Sequence, residues 1–117
     1  MIYIRSWRTW VFILYIALII YISSRTSNEL SQFYFLWKYD KIIHYLEYLG
    51  VGFLMINMLM IHPLKRTHWQ FAFIFLLLFP IADEILQHYT PNRIPDLYDA
   101  LVDMFGGLSG AFIRKKI

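Results

Sequence analysis

The sequence predicts an all-α fold, a four-helix transmembrane bundle with both termini on the cytoplasmic side. Three observations predict it. Apolar residues make up 59% of the 117-residue chain and charged residues 16%, against about 45–50% and about 25% in ordinary soluble domains. Four apolar runs alternate with short polar segments, and the basic residues fall unevenly on those segments. A soluble fold of this length has too much surface to hide so much apolar area. The bilayer is its natural solvent.

The runs cover about residues 7–22, 41–61, 67–87 and 97–113, within one domain spanning 1–117. Crossing ~30 Å of hydrocarbon takes about 20 residues, with 17–25 the usual range, so the first and last runs sit at or just under the limit. Helices are required because every backbone polar group must be bonded within lipid. A cleaved signal peptide is the alternative for the first run, with Arg5 and Arg8 before the apolar stretch 11–22 and Ser23-Ser24 after it. No Ala-x-Ala-like site follows it, and three more runs do, which favours retention. Pro80 is expected to kink or loosen the third helix where its carboxylates emerge.

Orientation follows from loop charge. One side holds seven basic residues, Arg5, Arg8, Lys65, Arg66, Arg114, Lys115 and Lys116; the other holds four, Arg25, Lys38, Lys41 and Arg93. Lys and Arg collect on the cytoplasmic side, so both termini are expected inside. Trp7, Trp10 and Trp69 would form the inner aromatic belt, and Trp37, Tyr39, Tyr89 and Tyr98 the outer one. Basic residues in short clusters between apolar runs are a topology signal, not a nucleic-acid face, so no nucleic-acid partner is expected. Cysteine is absent, which excludes disulfides, thiolate metal sites and a Cys nucleophile. No Gly-rich phosphate loop, GxSxG elbow or HExxH motif occurs.

The polar residues within the runs converge on the outer half. The second run opens DKIIHYLEYLG, which places Asp40, His44, Glu47 and Tyr48 on one helix face. The third ends with Asp83, Glu84 and Gln87, after nine apolar residues in a row from Phe71 to Phe79. Arg93 lies in a loop stiffened by Pro91 and Pro95, and the fourth run brings Asp96, Asp99 and Asp103 at i, i+3 and i+7. A charge near the bilayer centre costs about 2.5–3.5 kcal/mol on insertion scales, so such residues are expected to face the bundle interior or a wet cavity. Ordinary roles compete for single residues: a helix N-cap for Asp40 and Asp96, headgroup level for Asp83 and Glu84, a satisfied bundle histidine for His44. The convergence from three helices favours a polar cavity. Gly106 and Gly110 form a GxxxG pair and, with Gly107, suit close helix packing.

The segments DKIIHYLEYLG (40–50), DEILQ (83–87) and RIPDLYD (93–99), followed by glycines, resemble the VanZ-like family of small bacterial membrane proteins. The resemblance rests on Asp40, Lys41, His44, Tyr48, Gly50, Asp83, Glu84, Gln87, Arg93, Asp96, Asp99, Gly106 or Gly107, and Gly110, in the family's order and spacing. One departure is Asp103, where members commonly carry Asn; a carboxylate keeps the acceptor and loses the amide donor. The resemblance implies a four-helix, multi-pass domain in the bacterial cell membrane, part of the cell envelope. Founding members are associated with reduced susceptibility to teicoplanin-type antibiotics, and a housekeeping envelope role is equally compatible.

Three functions are compatible with these residues. In the first, Lys41, His44, Gln87 and Arg93 bind an anionic envelope lipid or cell-wall precursor, with Asp40, Tyr48, Asp83, Glu84, Asp96, Asp99 and Asp103 lining the cavity. In the second, His44, Asp83, Glu84 and Asp99 are candidate catalytic groups of a lipid hydrolase or transferase. One His with several carboxylates suits Mg²⁺, Mn²⁺ or Zn²⁺, although no recognised metal spacing is present. In the third, the polar face docks onto another membrane protein or a second copy. Proton relay is disfavoured, because Asn57 is nearly alone below the outer polar residues.

Overall fold

The computed structural model describes residues 4–23, 40–89 and 97–117, with Asp40 described for its backbone alone. These residues form four helices in the order α1 (Trp7–Ser23), α2 (Asp40–Leu59), α3 (Arg66–His88) and α4 (Leu97–Lys116), and no strand occurs among them. α4 continues past residue 113 to Lys116. Arg114, Lys115 and Lys116 occupy its last turn, where cations interact favourably with the helix's partial negative end. At the start of α3 the His68 imidazole accepts the backbone N–H of Lys65 at 3.0 Å, which satisfies one of the donors left free at a helix entry. The helix then passes through Pro80 without a break.

Lys41–Leu59 within α2 and all of α3 are long and apolar enough to cross a membrane. α1 is apolar but shorter, at 17 residues, and α4 carries Asp99 and Asp103 with its three terminal bases. The exterior is apolar: Leu14, Phe73, Leu78, Phe105 and Phe112 are all exposed, while Asp83, Asp99 and Asp103 are buried. An apolar outside over a polar inside is the arrangement lipid favours and water does not.

α2 is the central helix, and its Val51, Met55, Ile56 and Leu59 have no exposed surface. α2 and α4 run parallel, because Gly106 abuts Tyr45 and Leu49 while Gly110 abuts Leu49 and Phe53. α1 and α3 run the other way. Tyr15 meets Glu47 while the earlier Arg8 meets the later Asn57, and Asp83 meets Tyr48 while the earlier Leu76 meets Gly107, level with Gly52. Tyr15 donates from its hydroxyl to the Glu47 carbonyl at 2.5 Å, and Gly50 leaves the space its ring occupies. Phe12, Phe75, Phe79 and Tyr48 form a chain of tilted ring contacts, with centroids 5.3–5.8 Å apart, that joins α1, α3 and α2.

The seam between α2 and α4 is backbone against backbone. A Cβ on Gly110 would overlap the Leu49 carbonyl, and one on Gly52 the Gly107 carbonyl. Side chains there would force the helices apart. A Cβ on Gly107 instead meets the end of the Leu76 side chain, at 2.9 Å, and that side chain can rotate away. Gly52→Ala and Gly110→Ala are therefore expected to destabilise by roughly 1–3 kcal/mol or more, and Gly107→Ala by clearly less. Thermal unfolding in detergent ranks the three; equal losses would refute the difference between backbone and side-chain contact.

Candidate functional site

The parallel register of α2 and α4 sets acid against base. Lys41, His44 and Tyr48 follow one another down α2, and Asp99 and Asp103 stand one turn apart on α4. The Lys41 ammonium forms an ion pair with Asp99. One turn deeper, His44 lies between two carboxylates, with Nδ1 3.0 Å from Asp103 Oδ1 and Nε2 3.8 Å from Asp99 Oδ2. The first is a hydrogen bond and the second exceeds hydrogen-bond length. With Asp103 ionised, Nδ1 donates to it, and a protonated His44 also turns its Nε2–H toward Asp99.

α3 completes the cluster. The buried Tyr48 hydroxyl donates to Asp83 Oδ2 at 2.8 Å, and Phe79 packs beside its ring. Gln87, one turn beyond Asp83 on the same face, is also buried, and Glu84 is half-buried beside it. Burial is graded along α4: the Asp99 side chain is 8% exposed and that of Asp103 is 0%. Asp83 Oδ1 and Asp103 Oδ2 accept no hydrogen bond among the described residues. A buried carboxylate oxygen without a donor is costly, and it marks a place where a water, an ion or a ligand hydroxyl completes the network.

Of the residues expected at this site, Lys41, His44, Tyr48, Asp83, Asp99 and Asp103 come together in contact, with Glu84 and Gln87 adjoining on α3. The Asp40 side chain, Arg93 and Asp96 lie outside the described residues, as do Trp37 and Tyr39. Gly106, Gly107 and Gly110 sit below the cluster, in the helix seams. Among the described residues no group of three or more His, Asp or Glu is placed to hold a metal ion. The two His44 nitrogens face different carboxylates, so these groups share no common centre. A groove of about 460 Å³ lies elsewhere, between α3 and α4 at the end where α3 starts, lined by Trp69, Ala72, Phe73, Leu76, Leu108 and Phe112 among others. It contains none of the acid–base residues.

Two features were not apparent from the sequence. Tyr15 of α1 is tied to α2 beside the cluster, although no motif marks it. Asp103, where the sequence departs from the VanZ-like pattern it resembles, lies 3.0 Å from His44 Nδ1. Only the parallel register of α2 and α4 reveals that pairing.

The family described as VanZ/LLP1 matches the chain over residues 9–116. No curated protein and no solved structure matches it.

His44→Ala removes the donor from a fully buried carboxylate and is expected to destabilise by roughly 1–3 kcal/mol. In an Asp103→Leu background the same change has less to lose, so its effect should shrink. A double-mutant cycle read by thermal unfolding checks the coupling, and equal losses in both backgrounds would show that the pair is not coupled.

Proposed function

The chain belongs to the VanZ-like family, and from that premise we propose that it is a multi-pass protein of the bacterial cell membrane that binds the polar headgroup of an anionic envelope lipid or cell-wall lipid precursor at its outer face. The observation that carries this reading is the pair of buried, undonated oxygens, Asp83 Oδ1 and Asp103 Oδ2, beneath an ion-paired lysine that is still 46% exposed. A headgroup with both phosphate and hydroxyl groups complements this arrangement. Its phosphate meets Lys41, with Arg93 as the second cation expected at this face, and its hydroxyls donate to the buried carboxylates. Asp99 holds the Lys41 ammonium in place and shares His44 with Asp103. Three carboxylates against Lys41 and His44 leave the described cluster acidic in balance, so the headgroup's hydroxyl donors have to offset the repulsion between these carboxylates and its phosphate. Both termini face the cytoplasm in this reading, which puts the more basic end of the bundle inside.

A second reading has its own observation. His44 is oriented by Asp103 through Nδ1, at 3.0 Å, while Nε2 faces Asp99 at 3.8 Å, and an imidazole oriented by a carboxylate is the usual core of a general base. It supports a hydrolase or transferase acting on the same headgroup. Product formation from a bound lipid, abolished by His44→Gln, separates it from binding alone.

The binding reading is tested on protein reconstituted in neutral-lipid nanodiscs, with a polyprenyl phosphate and the matching neutral polyprenol as probes. The phosphorylated lipid should bind at least about tenfold more tightly, since charge-assisted contacts are roughly twice as strong as neutral ones, and Lys41→Gln should remove most of that preference. Equal affinity for the two lipids would sink the anionic-headgroup reading. In a Gram-positive host, wild type should raise tolerance to teicoplanin over vancomycin, with Glu84→Gln and Arg93→Ala abolishing the effect at equal membrane abundance. No difference from empty vector would detach the antibiotic phenotype from this chain.

A further inference from the structure

At the opposite end of the bundle, we infer a second ligand site: Arg8 of α1 and Arg114 of α4 converge on Asn57 of α2 and bind a phosphate group, supplied by an anionic phospholipid of the leaflet at that end. Arg8 Nη1 donates to the Asn57 backbone carbonyl at 3.2 Å, and Arg114 Nε donates to the Asn57 side-chain Oδ1 at 2.9 Å. Both guanidiniums are half-buried, and each lies against a ring, Arg8 at 5.8 Å from the Trp7 centroid and Arg114 at 6.0 Å from that of Phe53. They are therefore held in place rather than free in solvent.

Neither guanidinium has a carboxylate partner among the described residues. The sequence agrees: all eight acids (Glu29, Asp40, Glu47, Asp83, Glu84, Asp96, Asp99 and Asp103) fall outside the stretches 1–28, 48–82 and 104–117, which carry Arg5, Arg8, Lys65, Arg66, Arg114, Lys115 and Lys116. Two like charges sharing one neutral, half-buried residue repel each other, and an anion between or beside them would relieve that repulsion.

The chemistry of that anion is specific. Each guanidinium has five N–H donors in a planar fork and spends one on Asn57 among the described residues, and the Asn57 amide nitrogen adds two donors. A tetrahedral phosphate diester offers the matching set of acceptors, and arginine forks bind it in bidentate fashion. In a bilayer the concentrated source of such groups is the anionic headgroup layer. This site shares no residue with the cluster of Lys41, His44 and Asp99, so it does not depend on the function proposed for that cluster.

The test uses the full chain purified in a neutral detergent, with thermal unfolding measured against added phosphatidylglycerol, phosphatidylcholine, glycerol phosphate or inorganic phosphate. Phosphatidylglycerol should raise the unfolding temperature more than phosphatidylcholine, and its apparent affinity should fall roughly fivefold for each arginine removed in Arg8→Gln and Arg114→Gln. Asn57→Asp keeps the shape of the residue and places a carboxylate against the Arg114 guanidinium, on the residue that Arg8 also contacts. It should unfold at a higher temperature without lipid and lose the preference for phosphatidylglycerol, which keeps the test decisive even where the arginine variants fail to fold. Protection of wild type by glycerol phosphate or inorganic phosphate to the same extent, lost in Asn57→Asp, would sustain the phosphate site and make its source a soluble one. Equal protection by the two phospholipids, or an unchanged preference in Asn57→Asp, would overturn the inference.

Discussion

The close approach of α2 and α4 is the constraint on which the rest of this structure depends. Gly52 on α2 and Gly106 and Gly110 on α4 bring the two backbones into contact, with no side chain between them. In lipid, apolar side chains gain little by meeting one another, so close van der Waals packing and polar contacts must hold helices together. A parallel pair at this separation places residues in matching order: Lys41 beside Asp99 and His44 beside Asp103. With side chains larger than glycine in the seam the helices would stand farther apart, and short ion pairs would become solvent- or lipid-separated charges. The glycines thus act on the acid–base cluster although they do not line it.

The cluster in turn repays the burial of its charges only in part. Asp103 is fully enclosed and has one partner, while Asp83 has the Tyr48 hydroxyl. Taking a carboxylate out of water costs several kcal/mol unless its lone pairs are satisfied. Each of these two residues keeps one oxygen without a donor among the described residues. A cluster that served packing alone would be more stable with apolar residues of similar size. Polar burial left incomplete is the feature on which the proposed binding role rests, and Lys41, still 46% exposed, is the part of the cluster open to a ligand.

The architecture was legible because it rests on composition and period. Long apolar runs separated by charged breaks specify helices at these places whatever their neighbours, and the spacing of Asp40, His44 and Tyr48 specifies one face of α2. Which face meets which was not legible. Helix periodicity says that Asp99 and Asp103 share a stripe, but not that His44 will choose Asp103, since that depends on the register of two helices far apart in sequence. Gly52 was passed over for the same reason: a single glycine on α2 has no meaning until the Gly107 carbonyl is placed against it. Asn57 looked isolated because its two partners come from the first helix and the last. Pairings across the bundle are set by packing, and no local pattern encodes them.

The two ends of the bundle pose opposite electrostatic problems. At one end carboxylates are buried and bases are brought to them through side-chain contacts within the chain. At the other, Arg8 and Arg114 have no carboxylate partner among the described residues, and Asn57 supplies only neutral oxygens. In the orientation proposed above, this polarity would suit insertion in a single direction, because uncompensated Lys and Arg are held back on the cytoplasmic side while paired charges can be carried across. Pairing Lys41 with Asp99 would then lower the charge carried through the lipid. Arg8 and Arg114, which have no carboxylate partner among the described residues, would keep the charge that holds their end in place. The proposed orientation thus gives the distribution of acids one physical cause at both ends: compensation at the end that crosses, and none at the end that stays.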